Sequence, residues 1–168
     1  MQSTTLPAFV TSSQYSPTSR LWIYLAERPL TAQECTWAEE ELKQFTDNWT
    51  AHNAALKATA EIWNQQAILL LVDESQAGAS GCSIDKSVRF LEQLGASLKI
   101  DLFDRMRFAW IDEQGNVRFN TLQELPALVK AGTIQQDSLM VNTLVKTVGE
   151  MGQQWLVSFQ ASWQSRFA

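Results

Sequence analysis

One histidine, two cysteines and seven glycines are scattered through 168 residues, with no block of lysine or arginine and no long apolar run. Each scarcity excludes something. Two thiols, Cys35 and Cys82, give no disulfide framework, and reduced cysteines are expected. Net charge is −5, and without a basic stripe there is little to neutralise phosphates, so no nucleic-acid partner is expected. The longest apolar run, residues 67–72, is far too short to cross a bilayer, so no membrane partner is expected either. The first nineteen residues lack positive charge and any apolar stretch of signal-peptide length, which points to a cytoplasmic location. What remains is 45% apolar and 18% charged, the balance of a globular chain able to bury a core without a metal or cofactor.

Residues 1–19, rich in Ser, Thr and Pro, read as a flexible or surface-draped N-terminal arm, and residues 20–168 as a single α+β domain. Leu21-Trp22-Ile23-Tyr24-Leu25 has the composition of a strand, and Pro29 closes it. Thr31-Ala32-Gln33-Glu34 matches a capping box. Ala38, Leu42, Phe45 and Trp49 then recur at helical spacing, with Cys35 on the same face. Residues 58–63 and 67–73 read as strands joined at Asn64-Gln65. The second is apolar at every position from Ala67 to Val72, as in a strand buried on both faces. After a loop over 74–82, Ile84, Val88, Leu91, Leu94 and Leu98 mark a second amphipathic helix. A hairpin turns at Gln114-Gly115-Asn116, with Met106, Phe108 and Trp110 on one face. A helix near 122–130, a turn at Gly132 and a mixed tail follow. The order β-α-β-β-α-β is that of a ferredoxin-like sandwich, an antiparallel sheet with two helices on one face, here with an added strand and a C-terminal helical or irregular extension.

The stretch from Ala67 to Ser87 contains pieces of an ATP site: an apolar strand ending in Asp73-Glu74, a small-residue loop, then Lys86-Ser87. A phosphate-cradling loop needs glycines at two positions that Ser80 and Asp85 occupy here. A carboxylate next to the lysine would repel phosphate oxygens where solvent is excluded. The Asp-Glu strand also precedes the loop, whereas in such ATPases it follows. ATP hydrolysis is therefore not expected.

Trp22-Ile23-Tyr24, Asn48-Trp49-Thr50-Ala51-His52, Ala79-Ser80-Gly81-Cys82-Ser83-Ile84-Asp85, Asp101-Leu102-Phe103-Asp104 and Ser162-Trp163-Gln164-Ser165-Arg166-Phe167 span almost the whole chain. Together they resemble a family of uncharacterised bacterial proteins whose members sometimes carry the label "ABC transporter ATPase". The resemblance brings no established activity with it. Gly usually follows the histidine of that pattern where this chain has Asn53, and a His commonly stands at Gln164. The second departure weighs against a polar site in the tail.

Three constellations remain. Cys82 lies at the start of the second helix, where unpaired N–H groups and the dipole favour an anion and lower a thiol pKa. The lone histidine, His52, is the only imidazole available as base. A cysteine enzyme would use Cys82 as nucleophile, His52 as base and Asp85 or Asp73 to orient it. Capping by Ser80 or Ser83, with Cys82 filling a small space, explains the same residues without chemistry. Asp73, Glu74, Asp85, Asp101 and Asp104 form a carboxylate set, with Asp73 and Asp85 the candidates for a magnesium-dependent enzyme. Trp155, Phe159, Trp163 and Phe167 recur at four-residue spacing and read as one helical stripe, in the core or on a second subunit, which leaves a homodimer open. The leading expectation is a module that binds a small anion, another small molecule or a protein. Ser80, Gly81 and Ser83 would supply the ligand-binding loop.

Overall fold

The computed structural model describes residues 6–12 and 14–168. In chain order it begins with α1 (Ala8–Thr11), β1 (Arg20–Leu25), α2 (Ala32–Asp47) and the short strands β2 (Thr50–Ala51) and β3 (Ala54–Ala55). Next come β4 (Lys57–Trp63), β5 (Ala67–Asp73) and α3 (Gly81–Leu98). The second half contains β6 (Arg107–Ile111), β7 (Val117–Thr121), α4 (Leu125–Lys130), β8 (Leu139–Val141), α5 (Val148–Gln154) and β9 (Leu156–Ser158). Two 3-10 turns, Phe159–Ala161 and Trp163–Phe167, end the chain. Three antiparallel sheets form, ordered β1-β5-β4, β2-β3 and β7-β6-β8-β9.

β5 explains the layering. All seven of its residues are buried. Ala67, Leu69 and Leu71 face a core shared with Ala109, Val117, Val141 and Met151 of the second half. Ile68 and Leu70 face Leu42 of α2 and Leu91 and Leu94 of α3. The period of two thus divides one strand between two cores, each leucine contributing about 2 kcal/mol by burial. β6 repeats the device, with Ala109 turned to the first sheet and Phe108 and Trp110 to a core with Leu122, Leu125 and Ile134. The result is helices α2 and α3, a first sheet, a second sheet and then α4. Among the described residues no helix is long and apolar enough to cross a membrane.

Local signals act as their chemistry dictates. The Thr31–Glu34 capping box closes with Glu34 N–H donating to Thr31 Oγ1 at 3.1 Å and Thr31 N–H to Glu34 Oε2 at 2.9 Å. Glu34 also takes a bidentate pair from Arg28, both bonds 2.9 Å, and Arg28 reaches the Leu98 carbonyl at the end of α3. Hydrogen bonding from Arg28 and from the Thr31 amide lowers the Glu34 carboxyl to about 2.

The α+β class is as expected, and β1, α2, β4, β5 and α3 form a split β-α-β-β-α unit with β5 between β1 and β4. The sheet then departs from the ferredoxin-like order. β6 does not join β1; it lies inside the second sheet between β7 and β8. The reason is its composition, since Phe108, Ala109 and Trp110 are all buried and demand cover on both faces. The C-terminal extension expected as helical or irregular contains the helices α4 and α5 and the two 3-10 turns, and it also adds the short strands β8 and β9 to the second sheet. Met106 lies outside the β6 strand and is half exposed. The aromatic stripe is not one helix either, because residues 156–158 pair with β8 and extend the chain between the rings. Trp155 consequently packs on one side of this sheet and Phe159 on the other.

The described part of the arm lies against the body. Phe9 is buried, and Ala8 N–H donates to both oxygens of Glu61 at 2.9 and 2.8 Å. Ser16 N–H donates to Asp73 at 3.0 Å. The remainder of the expected flexible arm, residues 1–5 and Ser13, falls outside the described residues.

Candidate functional site

The loop between β5 and α3 is closed by its own side chains. Ser80 is the N-cap of α3: its hydroxyl accepts from Ser83 N–H at 3.2 Å, and Ser80 N–H donates to Ser83 Oγ at 2.7 Å. Ser83 is fully covered, and its carbonyl accepts from Trp49 Nε1 at 2.9 Å. The loop already contains an anion. Glu74 Oε2 accepts from Ala79 N–H at 3.1 Å, while Oε1 lies 3.4 Å from Arg20 Nε. Gly78 permits this, since a Cβ there would stand 2.9 Å from Glu74 Oε2. A second anion at this place would meet that carboxylate.

Cys82 sits exposed in the first turn of α3, and His52 sits exposed in the turn between β2 and β3. His52 and Asn53 both have positive φ, 49° and 64°. That is the backbone of a type I′ turn, where Gly or Asn is favoured, and it accounts for Asn53. β2 packs against α3, but the link runs through the buried Trp49–Ser83 bond. Among the described residues no hydrogen bond joins Cys82 to His52, and none orients the imidazole. Asp85 is exposed on α3 and Gly81 is exposed at its start. Among the described residues Cys82, His52 and Asp85 are thus not linked by hydrogen bonds.

Asp73 is not turned to solvent. Its side chain is 3% exposed and accepts from Ser16 N–H and Ser75 N–H, both at 3.0 Å, with Lys57 Nζ at 3.4 Å. Those backbone bonds hold its carboxyl well below the ordinary range. Its acceptor capacity serves the arm and the loop. Asp101 and Asp104 gather instead around Arg107 Nη2, at 3.5 and 3.4 Å. Among the described residues no group of three or more His, Cys, Asp or Glu side chains is arranged to hold a metal.

A small, largely apolar concavity lies elsewhere, at the outer edge of β1. Ile23, Tyr24 and Leu25 form its floor, with Leu102 and Phe103 after α3, Leu144 after β8 and Trp163 of the last turn around it. Its volume is about 180 Å³. Phe103 and Leu144 are 38% and 60% exposed, although both are large and apolar. Phe103 packs edge-on to Tyr24 at 5.5 Å, and Trp163 edge-on to Phe167 at 5.9 Å. Burial raises the Tyr24 hydroxyl, and the nearby charge of Arg105 partly offsets this. Sequence reasoning missed this groove because its walls come from four separated segments. The available signal was Phe103 and Leu144, large apolar residues in polar connecting loops.

Comparison with protein-family models, curated proteins and solved structures finds no match.

Proposed function

We propose that this protein is a non-catalytic interaction module whose working face is the apolar groove beside β1. The observation behind this reading is the pairing of exposed Phe103 and Leu144 with Trp163 around one concavity. Exposed large apolar side chains gathered in a groove mark a contact surface, whereas scattered ones do not. Size favours a macromolecular partner. At about 180 Å³ the groove falls below the roughly 300 Å³ at which small-molecule pockets begin. It suits one or two side chains of a protein. The small-anion reading of the 78–85 loop has less support, because Glu74 and the Ser80–Ser83 cap occupy that loop. Among the described residues no base is hydrogen-bonded to Cys82, which is exposed. The chain's resemblance to the bacterial family labelled as ATPases adds no activity, and Asp85 and Ser80 stand where a phosphate loop needs glycine.

The test is a fragment screen by nuclear magnetic resonance using small aromatic and aliphatic amides. Shifts should concentrate on Leu102, Phe103, Leu144 and Trp163 and vanish in Leu144→Glu. Shifts centred on residues 78–85, or hydrolytic turnover abolished by Cys82→Ser, would defeat the reading.

A further inference from the structure

The backbone of β1 says what form the partner takes. Across the β1–β5 ladder, Trp22 opposes Leu70 and Ile23 opposes Leu69. In an antiparallel pair, alternate residues direct both N–H and C=O toward the neighbour and the residues between direct both away. Leu21 N–H donates outward, to the Lys146 carbonyl at 2.9 Å, and the Ser19 carbonyl accepts outward from Val148 N–H at 3.0 Å. The Leu25 carbonyl also points outward and accepts from Arg107 Nη1 at 3.3 Å. Odd-numbered residues therefore face the free edge. Ile23, midway between these contacts, presents its N–H and C=O outward and has no backbone partner there among the described residues. Residues 146–148 close one end of this edge and Arg107 closes the other. Between them lies a strand edge with unmet hydrogen bonds, inside the apolar groove.

Open edges of this kind recruit extended chains, with backbone bonds giving affinity and flanking pockets reading alternate side chains. The charges on the rim narrow the choice. Arg107 is committed to Asp101 and Asp104. Arg105 lines the same groove, is exposed and has no carboxylate partner among the described residues. Resting on the groove as the working face, we infer that β1 accepts an extended segment of a partner protein by strand addition at Ile23, with an apolar side chain of that segment between Phe103, Leu144 and Trp163 and a carboxylate of it on Arg105. The gap between residues 146–148 and Arg107 limits the added strand to a few residues. Such an interface is small and its affinity modest.

The probe is a pool of N-acetylated hexapeptides with Val, Ile, Leu or Phe at alternate positions and a terminal Glu, beside matched pools ending in Gln amide or N-methylated along the backbone. The Glu pool should slow hydrogen exchange of the Ile23 amide at least tenfold and shift the Leu144 and Trp163 resonances, and the N-methylated pool should do neither. Arg105→Gln should weaken the Glu pool about three- to fivefold, the size of an exposed ion pair, and leave the Gln-amide pool unchanged. Ile23→Pro removes the outward N–H, a backbone change that an edge strand tolerates, and should weaken the shifts that the Glu pool causes at Leu144 and Trp163 at least tenfold. The N-methylated pool makes the same test should that variant not fold. Shifts at Leu144 and Trp163 without protection at Ile23 would refute strand addition while leaving the groove as the working face. No response at either would refute both. Protection of Ile23 that grows with protein concentration in the absence of peptide would assign the edge to a second copy of this chain and overturn the inference.

Discussion

Replacing Asp73 by Asn separates a structural carboxylate from a catalytic or metal-binding one. Asp73 ends the central strand and accepts two backbone N–H groups at 3.0 Å, from Ser16 in the arm and Ser75 in the loop, with Lys57 Nζ at 3.4 Å. Hydrogen bonds to a charged acceptor each contribute about 1.5–3 kcal/mol. The amide keeps one acceptor oxygen, and it turns an NH2 toward a donor where the second oxygen stood. The net loss is about 2–3 kcal/mol, since a buried donor is left poorly met. For a chain of this length that lowers Tm by about 4–12 °C.

The pH dependence gives a sharper check. The Asp73 carboxyl titrates below its ordinary range in the folded state, chiefly through the Ser16 and Ser75 bonds. A depressed folded pKa means stability that is complete above the unfolded value, near 4, and is lost as pH falls toward the folded one. Between pH 7 and pH 3 the wild type therefore sheds about 1 kcal/mol through this group, one pKa unit being worth about 1.4 kcal/mol. Asp73→Asn cannot shed it. Urea titrations followed by tryptophan fluorescence should show the gap between wild type and variant narrowing by about 1 kcal/mol at pH 3. An equal gap at both pH values, or a variant as stable as wild type that has lost magnesium binding, would refute the structural role.

Trp49→Phe removes the indole donor from the buried Ser83 carbonyl and should cost about 1–3 kcal/mol, read as a lower urea midpoint; an unchanged midpoint would show that this bond does not anchor α3. Ser80→Ala should cost about 1 kcal/mol as a lost N-cap, and millimolar phosphate should not raise the Tm of the wild type. Phosphate stabilisation lost in that variant would restore the loop as an anion site. Cys82→Ser should change stability by less than about 0.5 kcal/mol, as at other exposed positions, and Cys82 in the native protein should react readily with a maleimide; resistance to labelling would contradict its exposure.

Much of the first half was legible because its signals are local. Thr31 and Glu34 specify a capping box by spacing alone, and the unbroken apolar run of β5 announces burial on two faces. The departure at β6 was not legible in element order. Where a strand goes depends on what can cover it, and the cover for Phe108 and Trp110 comes from Leu122, Ile134 and Phe159, the last of them 51 positions after Phe108. The aromatic tail misled for a related reason: four-residue spacing suits a helix, but pairing of residues 156–158 with β8 outweighed that preference. The groove was hidden most completely, since an unpaired N–H at Ile23 is a property of the neighbouring strand and leaves no mark on the residue itself.

Asp73-Glu74 shows how such a motif fragment arises from local hydrogen bonding. A buried strand that stops at the surface releases backbone N–H groups from the following loop, and carboxylates at its end satisfy them. Asp73 takes the Ser75 amide and Glu74 the Ala79 amide, each within a few residues along the chain. An apolar strand followed by two acids is what this local problem selects, whether or not a nucleotide is near. The nucleotide function needs a further feature, a loop whose amides are free to converge on phosphate. Here Ser80 N–H and Ser83 N–H are each met by the other's hydroxyl. The same amides cannot cap a helix and cradle a phosphate, so the capping box that stabilises α3 is itself the argument against an ATP site.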